Sequence, residues 1–518
     1  MGSRLLGLVR EQVFAAMFGA GKLLDAFLAA FQIPNLMRDL FAEGALSAAF
    51  TTVFTKTFEK DGEQPAWRLA GLLISTVVVV LGAMCLLGIV FSPAIVHVTN
   101  YGFHLVPGKF ELTVQLTRIL FPFILFVSLA AVVMGMLNAR FIFGVPASAS
   151  TVFNLVSIVG GVLFAFLFDP QTDWRHPHFT QKALFGVSLG VLLGGVAQLA
   201  MQLPALRAAG FRMRWGFSFR DPGLRQVWTL MWPSVIAGAA VQVNVLVNGM
   251  FASEIDGARS WLNCAFRLMQ FPIGIFGVAI ATVTLPSVAR HHARDDLSAF
   301  GKQVEESLRL ALFLTIPAAA GLFALAPQVI GVIYEHGHFT TRDTAQTALA
   351  LRAYSVGLAG YAAIKVLVPC FYALNLPKLP LRVSLLAIGL NVSLNLVLVK
   401  LFRFGHVGLA MTTGVLALVN FAQLLLYLRR EVSLGSAQRW LSLAGGVSFA
   451  ALLCGLGAAQ AAALAGNWCD GFTGRCVALA AGMAAGIGIY GFVTLALRVP
   501  ETSAAGRLAQ KLVSRARR

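Results

Sequence analysis

The chain has 518 residues, of which 58% are hydrophobic and only 12% charged, and its mean hydropathy is +0.78. A typical soluble domain carries roughly 25% charged residues, so a water-soluble protein this apolar would lack a surface to solvate, and the composition places the chain in a membrane. The net charge of +18 raises nucleic acid as a ligand, but the positions of the basic residues read instead as a membrane orientation.

The opening stretch is apolar but interrupted by Arg10, Lys22, Asp25, Arg38, Asp39 and Glu43. It reads as two broken helices over 3–32 and 35–57, with an intramembrane kink at Phe18-Gly-Ala-Gly21, because glycine tolerates unusual backbone angles. It does not have the form of a cleavable signal peptide, since charges lie within the apolar run. Twelve further stretches are long and apolar enough to cross the hydrocarbon core, which takes about 20 residues. They run over 69–92, 117–138, 147–168, 183–204, 226–250, 262–288, 308–334, 352–374, 382–401, 407–428, 441–465 and 475–497, for a total of 14 spans.

Lys and Arg accumulate in cytoplasmic loops. The loops after even-numbered spans, with the C-terminal tail, carry about threefold more of them than the loops after odd-numbered spans. Both termini are therefore expected in the cytoplasm, and the basic tail (Arg507, Lys511, Arg515, Arg517, Arg518) reads as an anchor for anionic lipid. None of the six cysteines forms a CxxC pair. Cys469 and Cys476 fall together in an outer loop, where a disulfide and two free thiols are both compatible with the sequence.

A weak internal repeat has an offset near 235–237. FAEGALSAAFTTVFTKTFEKDGE from Phe41 parallels FGVAIATVTLPSVARHHARDD from Phe276, and the segments ending at Leu137-Asn138 and Leu374-Asn375 also correspond. Each unit contains six spans, so the two halves share an orientation and a substrate site is expected between them. The expected divisions are 1–205, 206–430 with a cytoplasmic linker at 206–225, 431–498 holding the last two spans, and a tail at 499–518.

Charges within spans cost at least about 2.5–3.5 kcal/mol each and mark function. Arg4, Arg10, Lys22, Arg38, Arg118, Arg267 and Lys365 outnumber Asp25, Asp39 and Glu43. An anionic ligand would balance the excess, and arginine suits phosphate because its planar fork donates two parallel hydrogen bonds. Arg10 with Glu11 and Lys22 with Asp25 are equally readable as ordinary ion pairs, and Arg118 as a snorkelling side chain. No GxxxxGK[ST], HExxH or G-x-S-x-G occurs. The expectation is a transporter without its own ATPase and without a cofactor, driven by an ion gradient, the membrane potential or downhill substrate flow. A membrane glycosyltransferase would need an acidic metal site that the sequence does not offer.

DAFLAAFQIPNLMRDLFAEGALSAAF (25–50) resembles the signature of the MurJ/MviN lipid II flippases. So do SRLLGLVRE (3–11), FGAG (18–21), RLMQFPIGIFGVAIATVTLPSVAR (267–290), YSVGLAGYAAIKVLVPCFYA (354–373) and EHGHFT (335–340). The resemblance implies an all-α polytopic fold of the MOP exporter superfamily, with 14 transmembrane helices, two six-helix lobes in a V and two extra C-terminal helices. It implies flipping of lipid II, an undecaprenyl pyrophosphate-linked muropeptide, to the outer leaflet of the bacterial cytoplasmic membrane by alternating access. The implied partners are that substrate, membrane lipids and cell-wall synthesis proteins. Cationic cavity residues of the family match Arg4, Arg10, Arg38 and Arg267, and its acids match Asp25 and Glu43. The alternative is a superfamily exporter of another polyprenyl-linked saccharide or of drugs. The sequence departs from the family pattern at Phe266, Gln270 and Asp39, and has a shorter stretch before Ser3-Arg4 than relatives usually carry. Some relatives use sodium in the second lobe. Asn391, Asn395 and Thr412 could supply oxygens here, but a hard cation prefers carboxylates and none stands near on spans 7, 11 or 12.

Overall fold

The computed structural model describes residues 2–40, 46–170, 172, 177–218 and 220–502. The described residues are helical with no strand, as expected in hydrocarbon, where every backbone polar group needs an internal partner. Among the described residues eleven helices are long and apolar enough to cross a membrane, or twelve when a pair bent by 50° around Pro233 is counted as one span. These twelve correspond one for one to the twelve clear stretches read from the sequence. The chain is therefore an all-helical, multi-pass membrane protein. By internal contacts it divides into two units, residues 1–260 with 337–339, and residues 261–336 with 340–518.

In the first unit α1 (Gly2–Phe18) and α2 (Lys22–Arg38) are followed by α3 (Ser47–Asp61), α4 (Glu63–Val90) and the short α5 (Ser92–Thr99). A 3-10 turn (Tyr101–Leu105) leads to α6 (Lys109–Leu120), α7 (Phe123–Ala139), α8 (Gly144–Phe168), α9 (Gln181–Ala200), α10 (Leu203–Ala208) and α11 (Pro222–Ala252). The expected helices over 3–32 and 35–57 have different boundaries. The break falls at residues 19–21, inside the Phe18-Gly-Ala-Gly21 kink read from the sequence, while α2 runs through Pro34 instead of ending before it. Gly19 decides this: its φ is +66°, and a Cβ there would stand 2.6 Å from the His338 carbonyl oxygen. α1, α2 and α3 have only 17, 17 and 15 residues.

The core of this unit gathers α3, α4, α7 and α11 around Phe50, Phe54, Leu73 and Met136, all with no exposed surface. α8 and α9 pack through small residues, the arrangement that lets membrane helices approach closely. A Cβ on Gly190 would lie 2.5 Å from Gly161 Cα.

The second unit takes up α12 (Ala258–Pro272) from its second turn. It continues through a π turn (Ile273–Gly277), α13 (Val278–His292), α14 (Leu297–Ala324), α15 (Ala326–Ile333) and α16 (Thr341–Ala373). Then come α17 (Lys378–Asn395), a second π turn (Leu396–Leu401), α18 (Gly405–Glu431), α19 (Ala437–Gly466) and α20 (Gly471–Ala496). The span expected over 308–334 is displaced. Asp296 starts α14 early by accepting a hydrogen bond from Ala299 N at 2.9 Å. Pro327, which has no N–H to continue the ladder, separates α15 from it. α16 opens on a capping box between Thr340 and Asp343, and it packs on α18 where a Cβ on Gly357 would sit 2.8 Å from the Gly414 carbonyl oxygen. α19 and α20 pack on each other, and the Tyr490 hydroxyl of α20 donates to Phe313 O of α14 at 2.6 Å. Cys469 and Cys476 are free thiols.

Helices α7 and α16, whose ends the sequence aligns as a repeat, close alike. Ile142 N donates to Leu137 O, and Leu376 N to Phe371 O, each across five residues around a residue of positive φ. This is the bond that satisfies an orphan carbonyl at a helix C-terminus.

Candidate functional site

The densest buried charge in the first unit centres on Asp25, in the first turn of α2. Its carboxylate has no exposed surface. Oδ1 accepts from Ser260 N at 2.9 Å and Ser260 Oγ at 2.6 Å, and Oδ2 accepts from Gly257 N and Lys109 Nζ, each at 2.8 Å. Asp25 thus caps the first turn of α12 from a distant helix, a favourable place for a negative charge. Gly257 turns into that helix with φ +85°, which suits glycine.

Lys109, the first residue of α6, is fully buried. A buried ammonium survives only when paired. Lys109 donates also to Asp256 Oδ1 at 2.7 Å and lies 4.4 Å from the centre of the Phe103 ring. Arg259 completes the cluster. It is buried, donates to Gln32 Oε1 and more weakly to Thr99 O, and its guanidinium lies 5.7 Å from the same Phe103 ring. Gly249 makes room for it, since a Cβ there would meet Arg259 NH2 at 2.6 Å. Two anions and two cations balance within one cluster, in which Asp25, Lys109 and Arg259 are buried and Asp256 reaches the surface. The partner of Asp25 is therefore Lys109, not Lys22 as the local spacing suggests.

The other expected residues are placed as follows. Arg4 is exposed on α1. Arg10, six residues further along α1, is 9% exposed, with its guanidinium 5.2 Å from the Phe153 ring and 5.8 Å from the Phe31 ring. Its contact with Glu11 is long, at 4.0 Å. Arg38, in the last turn of α2, bonds Asp39 at 2.9 Å. Thirteen residues of helix separate it from Asp25, about 20 Å at a rise of about 1.5 Å per residue, so these two ends of α2 cannot grip one small headgroup together. Glu43 lies outside the described residues. Arg118 donates to Ser92 Oγ at 3.0 Å, and Lys365 is exposed on α16.

Arg267 belongs to the second unit, half-buried on α12. Phe266 beside it packs edge-on against Tyr354 at 5.4 Å. Asn391, Asn395 and Thr412 are all buried on the packed pair α17 and α18. Asn395 Nδ2 donates to Asn391 Oδ1 at 2.6 Å, while Thr412 Oγ1 has no hydrogen-bond partner among the described residues. Among the described residues no group of three or more His, Cys, Asp or Glu gathers as for a metal.

Sequence reasoning missed Lys109, Asp256 and Arg259. Lys109 and Asp256 sit in loops read as connections, and Arg259 just ahead of a span. Asp25 and Lys109 are 84 residues apart, and no local pattern links them.

Solved structures share this many-helix membrane fold. One titled "Lipid II flippase MurJ, inward closed conformation" matches with a TM-score of 0.78 at 22% identity, covering 96% of this chain and 97% of the other. An inward-facing multidrug resistance MATE family transporter of the MOP superfamily matches with a TM-score of 0.70 at 14% identity, covering 83% and 94%. The chain belongs to the lipid II flippase MurJ family, whose model matches residues 14–478. The probable lipid II flippase MurJ of Vibrio cholerae is 35% identical over 465 residues, 87% of this chain and 86% of the relative. The lipid II flippase MurJ of Burkholderia cenocepacia is 33% identical over 444 residues, 85% and 83% of the two chains. The family is one of transporters, not of catalysts.

Proposed function

We propose that this chain flips lipid II from the inner to the outer leaflet of the bacterial cytoplasmic membrane by alternating access, supplying peptidoglycan synthesis. Family membership across residues 14–478 carries the reading. In it, α1, α2 and α3 contribute two broken spans to the twelve regular ones, giving fourteen with both termini cytoplasmic. Spans 1–6 and 7–12 form the two repeated lobes, and spans 13 and 14 border a groove for the polyprenyl tail. The outer-leaflet product would pass to cell-wall synthesis proteins.

Arg4, Arg10, Arg38 and Arg267 serve as cationic contacts for the pyrophosphate, with Glu43 as an acidic neighbour. The burial of Arg10 between aromatic rings supports this, because a guanidinium set among apolar rings is a charge held away from bulk water. Asp25 serves the site through its clamp on Lys109 and α12, since its oxygens are already occupied by donors. Asn391, Asn395 and Thr412 would offer a neutral oxygen set to sodium, which lacks the carboxylate such an ion prefers.

The test is complementation in bacteria depleted of their own lipid II flippase. The parent chain rescues growth; Arg10→Ala, Arg38→Ala and Arg267→Ala insert normally and fail. Full rescue by all three variants would remove the arginines from the site. Failure of a well-expressed parent would redirect the search to another polyprenyl-linked saccharide.

A further inference from the structure

His97, near the end of α5, and His104, in the 3-10 turn that follows, meet across an exposed face of the first unit. His97 Nδ1 and His104 Nε2 lie 3.0 Å apart. The ring centroids are 5.2 Å apart, with 63° between the planes. Phe110, on α6, stacks on the His104 ring at 4.0 Å and 25°, which fixes its orientation. Neither histidine belongs to the charged cluster or to the arginine contacts above.

The spacing matches a chelate. Imidazole nitrogens bind divalent transition metals at about 2.0–2.1 Å. Two such bonds ending on nitrogens 3.0 Å apart subtend an angle of about 94° at the metal, at a bond length of about 2.05 Å. Adjacent positions of square-planar or tetragonal Cu(II) and Ni(II) call for an angle near this, whereas a tetrahedral ion would spread the nitrogens to about 3.3 Å. We propose that His97 and His104, with their rings turned so that both nitrogens face one point, form a two-nitrogen chelate for a divalent ion of the copper or nickel class. Water fills the remaining positions, since no third His, Cys, Asp or Glu gathers there among the described residues.

The turn that the ion would bridge is tied to the charged cluster. Gly102 N donates to Ser253 Oγ at 3.1 Å, and Phe103 lies against both Lys109 and Arg259. A bound ion would pin α5 to this turn and stiffen the roof over Lys109. Access from outside the cell rests on the topology proposed above; binding does not.

Untagged full-length protein in detergent, stripped with a chelator, is titrated with CuCl2 and with NiCl2. One ion binds per chain, and the copper form shows two-nitrogen hyperfine splitting by electron paramagnetic resonance. Loss of an outer partner of a metal ligand already weakens affinity about 10–100-fold, so removing a ligand in His97→Ala weakens it by more than about 100-fold. His104→Phe keeps a ring on Phe110 while removing the nitrogen, and gives the same loss. His178→Ala, which disrupts a separate histidine pair 5.1 Å apart, leaves the ion bound. Unchanged affinity in either site variant overturns the chelate, as does loss in His178→Ala alone, or no binding at micromolar metal. Because the readout is binding to purified protein, failed growth rescue would count against the flippase reading and leave this one standing.

Discussion

Lys109→Met offers the sharpest perturbation of the charged cluster. Breaking a buried ion pair by removing one partner costs about 3–5 kcal/mol. Here Asp25 keeps three of its four donors, those of Gly257 and Ser260, and Asp256 is half exposed and can return to water. The expected loss is therefore at the low end, about 3 kcal/mol. Asp25→Ala should cost more, about 4–5 kcal/mol, because it also strips the first turn of α12 of its acceptor and leaves Lys109 with Asp256 alone. The double variant should fall short of the sum by about 1–3 kcal/mol, as for residues in one network. Thermal melts of the full-length protein in detergent rank the three variants. Equal melting temperatures for Lys109→Met and the parent, or strict additivity in the double variant, would refute the shared network.

Three further outcomes are expected. Burial alone would raise the Glu335 carboxyl, but hydrogen bonds from Thr344 and Arg475, the Arg475 charge and a further bond from Thr341 hold it below its ordinary value. A group lowered on folding stabilises above its unfolded value and loses that contribution as pH falls through the folded one. Protection of the 335–344 amides, corrected for the intrinsic exchange rate at each pH, should therefore fall on acidification below the ordinary value of 4.5, and Glu335→Gln should flatten the dependence. Gly190→Val should force α8 from α9 and cost about 1–3 kcal/mol by overpacking, whereas Gly144→Ala, with nothing near its Cβ, should be silent in the same melt. An impermeant maleimide added to intact cells should label Cys469 without a reductant, because it is an exposed free thiol in a loop assigned to the outer face; protection until the membrane is breached would contradict that orientation.

The sequence by itself determined the solvent and the scaffold of this protein. Twelve apolar runs had to become helices because hydrocarbon leaves backbone groups no other partner. The segments 3–11, 18–21, 25–50, 267–290, 335–340 and 354–373 were enough to point to the family. Arg10 and Asp25 were visible as costly charges from their apolar neighbours alone. What each charge does was decided by tertiary structure. The nearest acid in sequence to Lys22 is Asp25, yet Asp25 is held by Lys109 and by the first turn of α12, from positions 84 and 235 residues away. Likewise α2 passes through Pro34, although the sequence suggested a boundary there, and the kink read from the sequence at Phe18-Gly-Ala-Gly21 is fixed by Gly19, where the His338 carbonyl lies too close for a side chain. Hydropathy is a local property and can be read along the chain. A buried ion pair or a close backbone approach is made by segments that meet only after folding, so its partners leave no periodic mark in the sequence.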